Sequence, residues 1–556
     1  MDVVLYGLAG FLFVFFTLTG MELERLGNIS WTMGHTLFVL LLSLILGIVA
    51  GEGVRFLFLF LEKKWKSKQS DENKKQPENK MSVRKVGVLS FLLLTLARIP
   101  FFLAYYPGIC AYDIAIQLGQ VRSGEYNLHH PLAHTLLLKG ALDIGNILFH
   151  NATTGIALMI AGQVLLLSFA MAYGIAYLYR RGCRKSVLIL TQAFCMFYPF
   201  FGYLSVSVTK DVVFSAFFLF QLIALLSLLD GNKDWKTDLL FCAASVIMQL
   251  FRNNATYAFL VLEGILFLCV VFGKRERKLF VRIFAEGAVA LILGAVFLFV
   301  LTKATNAQQG DKREMLSVPI QQMARCMIYH GGVGLLPEDD GSMSEKDRAL
   351  VNDFLLYESY LKYKAKLADP VKSNTNTYVV RYRTVEFIKT YMHLLTEYPG
   401  DMVNAFLALN AGYFYMGDES HGSIYDLWET KGVAYAHTRW DISMEEYGIL
   451  QNSGMKGLRE FLSNWADENG HLKVPVVKYL FVPALLFWGY ILGLLRNVRR
   501  KEYRNCIPYA LVAGYYFTLL LGPCVQLRYL FPLMSAFAIL LAHGSMENKE
   551  TKPLAQ

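Results

Sequence analysis

The residues equipped for chemistry stand in short polar motifs that interrupt long apolar runs. In YYPGICAYDIAIQ an aspartate, Asp113, directly follows an apolar stretch, with Gln117 one turn later. NLHHPLAH holds His129, His130 and His134, where Pro131 suits the first position of a helix and His130 its cap. A helix that starts at a membrane surface favours an anion such as a lipid phosphate. His130 and His134 would share one helix face, at a spacing that can also bind metal. SVSVTKDVVF sets Lys210 beside Asp211, RNN supplies Arg252, Asn253 and Asn254, and QLRYLFP opens a late apolar run with Arg528 and Tyr529. SVPIQQMAR adds Gln321, Gln322 and Arg325. Singly, each has an ordinary structural reading: a turn aspartate, hydrogen-bonded histidines, a self-neutralising Lys–Asp tip. Together they combine an acid, Asp113, with the cations Lys210, Arg252, Arg325 and Arg528. That inventory could hold a lipid-linked phosphate and activate a hydroxyl.

Positioning these residues falls to apolar segments. Of the 556 residues, 55% are hydrophobic and 18% charged, where a soluble domain carries about 25% charge. Much of the apolar surface must therefore face lipid, which excludes a disordered, collagenous or disulfide-stapled secreted chain. The net charge of +10 lies in short clusters between the apolar runs, the pattern that orients a membrane protein, and a nucleic-acid partner is not expected. Runs of spanning length lie near 2–20, 35–61, 86–104, 155–179, 187–208, 211–229, 239–252, 255–272, 279–303, 477–495, 506–522 and 528–543. With the basic clusters after them cytoplasmic, the segment 131–149 reads as an amphipathic helix lying on the membrane. Twelve spans with both termini cytoplasmic follow.

The expected organisation is two spans in 1–61, a basic cytoplasmic linker 62–85, a core 86–303 containing a first outer loop 105–154, an extracytoplasmic domain 304–476, last spans 477–543 and a tail 544–556. The first span starts near Met1 without a cleavage pattern and reads as a retained anchor. The 304–476 segment is acidic on balance and helical in pattern: Ser344 and Asp347 form a capping box before an amphipathic run to Ala368, and a helix over Thr384–Thr396 stops at Tyr398-Pro399-Gly400. The eight cysteines are scattered without a CxxC. No internal repeat is visible. Glu52, Glu263 and Glu286 lie in or near apolar runs without an evident role, and Glu263 is the best hint of a transport path.

The long first loop with its aspartate just past a span, the membrane-lying helix and the Arg-Tyr-x-x-Pro opening a late span resemble the GT-C superfamily of integral-membrane glycosyltransferases. More closely, YPGICAYDIAIQ, HHPLAHTLL, SVTKDVVF, RNNATY, SVPIQQMAR, YLKYKAKLADPVK and LRYLFP resemble an uncharacterised bacterial family of GT-C-like polytopic membrane proteins, over about 86–543. The resemblance implies an all-α polytopic fold and the acidic catalytic position for Asp113. It also implies that Arg528 lies near a donor phosphate. Many GT-C enzymes carry an adjacent acidic pair in that loop; here Ile114 follows Asp113, so a divalent metal lacks that support.

The leading expectation is a glycosyltransferase of the bacterial cell membrane working on the outer face. Its donor would be a polyprenyl-phosphate sugar, and its acceptor a cell-envelope glycan, lipid or protein. Asp113 would be the base, Lys210, Arg252, Arg528 and Tyr529 the phosphate site, and Gln117, His129, His130, His134, Asp211, Asn253, Asn254, Gln321, Gln322 and Arg325 the cavity walls. Two rivals stand beside it: a transporter or flippase of lipid-linked sugars, which would need polar groups at mid-membrane, and a non-catalytic envelope assembly protein.

Overall fold

Apolar runs of this length can satisfy their backbone groups in lipid only as helices or closed barrels, and the chain takes the helical solution. The computed structural model describes residues 2–72, 81–110, 113–273, 276–417, 444–467 and 474–546. Among these the secondary structure is helical, with only isolated β-bridges besides. In order, the bundle helices are α1 (Asp2–Leu26), α2 (Met33–Glu72), α3 (Val83–Ala104), α4 (Asp113–Ser123), α5 (Leu132–Phe149), α6 (Ala152–Arg180), α7 (Lys185–Phe197), α8 (Pro199–Ser205), α9 (Lys210–Leu229), α10 (Trp235–Phe251), α11 (Ala255–Phe272) and α12 (Arg277–Ala304). Then come α13 (Ser317–His330), α14 (Glu345–Phe354), α15 (Thr384–Glu397), α16 (Pro399–Phe414) and α17 (Lys456–Asp467). The chain returns to the bundle with α18 (Pro483–Arg499), α19 (Pro508–Leu520) and α20 (Phe531–Ser545).

Nine described helices are long and apolar enough to cross a membrane, ten if the bent pair α7–α8 counts as one crossing. This is a multi-pass helical membrane protein in a lipid bilayer. Three expected spans fall on shorter helices: α10 and α18 have 17 residues each and α19 has 13. The expected single run 187–208 is broken between α7 and α8 by a 49° bend. Pro199 causes it, because it has no N–H for the carbonyl of Cys195 one turn back. Arg98 of α3, 1% exposed, donates to that carbonyl at 2.5 Å and to Leu94 O at 2.9 Å.

Two ends of the bundle can be told apart. α3 and α6 run antiparallel: Tyr179 donates to Met81 O at 2.8 Å at one end. At the other end the loop 448–454 ties them together, Leu450 N reaching Thr153 Oγ1 at 2.8 Å and Gly454 N reaching Leu103 O at 2.9 Å. The basic clusters gather at the first end, where Arg181 meets Asp230 at 2.8 Å, Arg282 meets Glu286 at 3.0 Å and Arg500 meets Glu62 at 2.9 Å. The chain leaves α3 and re-enters α6 at the second end, so α4 and α5 go out and back there. α5 nonetheless has the length and apolarity of a crossing helix.

The segment between α12 and α18 has its own core, built on Met323, Met327, Val351, Phe354 and Leu394. The Ser344 cap forms, accepting from Asp347 N at 3.1 Å. Its helix is shorter than expected, ending at Phe354 rather than near Ala368, because a 3-10 segment with left-handed Tyr357 and Glu358 follows. The α1–α2 turn is fastened to this domain, Trp31 Nε1 donating to Asn404 Oδ1 at 2.9 Å and Arg325 to Asn28 Oδ1 at 2.7 Å. The expected linker 62–85 is in part a continuation of α2, which runs to Glu72; 73–80 and the tail from 547 lie outside the described residues.

Candidate functional site

The site is built where helix ends meet. The extended stretch before α4 pairs with the one before α9: Ile109 N donates to Val206 O and Val208 N to Ile109 O, both at 2.9 Å. Gln163 of α6 braces the junction from within the bundle, its Nε2 donating to Ser205 O at 3.0 Å and Ser207 O at 2.6 Å. This lacing sets Asp113, the first residue of α4, beside Lys210 and Asp211, which open α9. Both acids sit in a first helical turn, where the helix dipole favours them, and Thr209 caps α9. Arg252 comes from the end of α10 and Arg528 from the 3-10 turn Leu527–Leu530 ahead of α20.

Asp113 receives two cations on one oxygen. Arg528 donates to Oδ2 at 3.0 Å and Lys210 Nζ to the same atom at 3.3 Å. Oδ1 accepts no hydrogen bond among the described residues. Arg528 also stands 3.6 Å from Asp211 Oδ2, and Arg252 pairs with Asp211 Oδ1. Lys210 and Asp211 therefore do not neutralise each other, as a self-contained tip would; each serves a partner from elsewhere. The network is graded in depth: the Asp113 side chain is 20% exposed, those of Arg528 and Asp211 only 4% and 1%. Among the described residues the network joins two carboxylates, Asp113 and Asp211, to three cations, Lys210, Arg252 and Arg528.

Aromatic rings surround the Arg252 cation. The Arg252 guanidinium lies 5.7 Å from the Phe214 ring centre, 5.5 Å from Tyr515 and 5.3 Å from Tyr529. Tyr529 is equally 5.3 Å from the Arg528 guanidinium, so both arginines lie against one ring. Arg252 Nε donates to Asn254 Oδ1 at 3.0 Å, and Asn254 is held in turn by Thr518 at 2.8 Å. Asn253 lies nearer the surface and holds Leu128 O at 3.3 Å.

The histidines divide. Pro131, not His130, is the cap residue of α5, and no side chain caps it; His130 instead turns its Nδ1 to Lys210 Nζ at 3.3 Å. An ammonium can only donate, so Nδ1 accepts and the proton sits on Nε2, which is buried without a partner. His134 pairs with Gln117 Oε1 at 3.0 Å, and Gln117 with Thr135 at 3.2 Å. His129 stacks edge-on against His130 at 4.6 Å. Burial and the Lys210 charge push the His130 imidazolium pKa down to about 3, so the ring is neutral. Burial alone would raise the Asp113 carboxyl, but Arg528 and Lys210 outweigh it and hold it well below the usual range.

Three expected wall residues are elsewhere. Gln321 donates to Lys364 O at 2.6 Å, Gln322 to Met402 O at 2.8 Å, and Arg325 to Asp401 at 2.9 Å. They lie inside the 304–476 domain and hold it together, away from Asp113. The sequence reading missed Gln163, Phe214 and Tyr515; a glutamine inside an apolar run was the one available signal. No group of three or more His, Cys, Asp or Glu among the described residues is placed to hold a metal. Asp113 and Asp211 are each held by arginine or lysine, a setting that fits an anion and not a divalent cation.

The fold and this cluster define a multi-pass helical membrane protein whose acids and bases meet at one end of the bundle. The chain belongs to the DUF6020 family, a family of unknown function, whose model matches residues 112–553. The match begins beside Asp113 and runs past α20, leaving α1–α3 outside it. Comparisons with curated proteins and with solved structures gave no match.

Proposed function

We propose that the protein is a GT-C-like glycosyltransferase of the bacterial cell membrane, transferring a sugar from a polyprenyl-phosphate donor to a cell-envelope acceptor on the outer face. The observation that carries this reading is the junction of Asp113, Lys210 and Arg528: one carboxylate with an open oxygen, held on its other oxygen by two cations from distant parts of the chain. The basic clusters at the opposite end of the bundle support an outward site. Twelve crossings with cytoplasmic termini, and an extracytoplasmic 304–476 domain that selects the acceptor, belong to the same reading.

In the transfer, the acceptor hydroxyl oxygen bonds to the anomeric carbon as the bond to the phosphate oxygen breaks. The hydroxyl proton passes to Asp113 Oδ1, and the phosphate leaves with the electron pair, stabilised by Lys210 and Arg528. Direct displacement inverts the anomeric centre. Donor binding also primes the base. A phosphate that draws Lys210 and Arg528 to itself weakens their hold on Asp113, whose carboxyl then rises toward its ordinary range. His130 Nε2–H, without a partner beside Lys210, is a donor for a phosphate or sugar oxygen.

The test is transfer itself. Purified wild-type protein is given radiolabelled polyprenyl-phosphate sugars and envelope acceptors, with Asp113→Asn as the control. Transfer by wild type and its loss in the variant are expected; equal transfer by both would remove Asp113 from the mechanism. One observation favours the transport reading: Glu263 of α11 is 4% exposed, packs against Gly287 of α12, and has no partner on either oxygen among the described residues. Loss of lipid-linked sugar movement in Glu263→Gln vesicles, with transfer chemistry absent throughout, would move the assignment there.

A further inference from the structure

At the end of the bundle opposite Asp113, a cavity of about 340 Å3 lies among α2, α18, α19 and α20. Phe58, Leu61, Leu492 and Leu541 supply apolar walls, and Gly489 and Gly493, one turn apart on α18, let Phe537, Tyr509 and Leu541 pack directly against that helix. One side is polar. Glu62 there is already taken by Arg499 and by Arg500 at 2.9 Å. Arg496 is not matched in this way: its guanidinium donates to Ser545 O at 3.3 Å, and no carboxylate among the described residues pairs with it. Tyr509, also in the wall and 5% exposed, has a hydroxyl with no partner among the described residues.

An apolar chamber between membrane helices, ending in an unmatched guanidinium and an unpartnered phenol, suits an amphiphile with an acidic head. We propose that this cavity binds an anionic phospholipid from the leaflet on the basic side of the bundle. The lipid phosphate pairs with Arg496, beside the Glu62-bound Arg500, the Tyr509 hydroxyl donates to a headgroup oxygen, and one acyl chain lies against Phe58, Leu61 and Leu492. A volume of 340 Å3 equals roughly eleven water-sized groups, enough for the upper part of one chain. A small soluble anion would lie against apolar walls with most of its oxygens unsatisfied. Basic pockets beside spans are where anionic headgroups collect, and a guanidinium gives the phosphate a two-pronged contact. The site is separate from Asp113 and stands whether or not the protein transfers sugars.

The experiment counts lipids retained by the purified full-length protein in native mass spectrometry, after exchange with phosphatidylglycerol or phosphatidylcholine of equal chain length. Wild type is expected to bind phosphatidylglycerol at least tenfold more tightly. Arg496→Gln should weaken phosphatidylglycerol by about tenfold, the loss of one charge-assisted contact, and phosphatidylcholine, whose choline already offsets its phosphate, by less, so that the preference shrinks. Leu492→Trp, which fills the chain space, should weaken both lipids. Equal retention of the two lipids by wild type overturns the proposal, and that comparison needs no variant to fold. An undiminished preference in Arg496→Gln overturns it as well.

Discussion

If Asp113 occupies the place a donor phosphate would take, its removal should improve binding while stopping turnover. The perturbation is Asp113→Asn. In the resting site Arg528 and Lys210 both donate to Oδ2, at 3.0 and 3.3 Å. A charge-assisted hydrogen bond contributes about 1.5–3 kcal/mol and a neutral one about 0.5–1.5 kcal/mol, so each cation loses about 1–1.5 kcal/mol of its hold. Two contacts give about 2–3 kcal/mol, or roughly 30- to 150-fold in affinity. The Asp113 side chain is 20% exposed and partly screened, so at least tenfold tighter binding is the expectation. The assay is equilibrium binding of a polyprenyl phosphate to the purified variant and wild type, beside the matching prenyl alcohol as a control for chain burial. Thermal stability should fall in the variant, because two cations lose their counter-ion, and phosphate lipid should restore it. Weaker or unchanged binding by Asp113→Asn would refute the competition, and with it the idea that the donor primes its own base.

Other outcomes follow from the same geometry. Arg528→Lys should insert normally but bind the phosphate lipid at least tenfold more weakly, since one ammonium cannot span Asp113 and Asp211 as the guanidinium does; equal affinity in the binding assay would reduce Arg528 to an anchor. His130 should make the protein acid-sensitive. Its unfolded form takes a proton below about pH 6.5 and its folded form only near pH 3, so stability present at neutral pH falls on acidification, by about 2 kcal/mol at pH 5. Melting temperatures of His130→Gln across that range should lack this slope. Arg98→Leu should cost about 1–3 kcal/mol by orphaning the Cys195 carbonyl, and Pro199→Ala, which restores an N–H, should recover part of it in a double-mutant cycle of melting temperatures. Cysteines placed at exposed Glu125 and Ala349 in a cysteine-free background should label from the same side of intact cells; opposite sides would break the outward assignment of the domain.

The crossing helices were legible because lipid leaves a long apolar run few options, and the Ser344 cap because its signal is local. What sequence could not supply was partnership. Lys210 and Asp211 are neighbours in the chain, which invited pairing them with each other; the structure turns them to Asp113 and Arg252, 97 and 41 residues away. Arg325 carried the same residue-type signal as Arg528, yet Asp401 inside the domain and Asn28 of the α1–α2 turn claim it. Residue type names what a side chain can do, and only distant packing decides for whom. The segment 131–149 was ambiguous for another reason: length and hydropathy do not reveal whether both ends of a helix return to one side.

The wide separation of these partners has a consequence during synthesis. Asp113 precedes Arg528 by 415 residues, and at about 5–20 residues per second the ribosome needs roughly 20 to 80 s to bridge them. Through that interval α4 is already made, while the arginine that completes its anchoring does not yet exist. Trp31 waits similarly for Asn404, 373 residues on. A nascent chain of this protein therefore spends most of its synthesis with Lys210 as the one cation on Asp113, the second contact forming only when the last helix arrives.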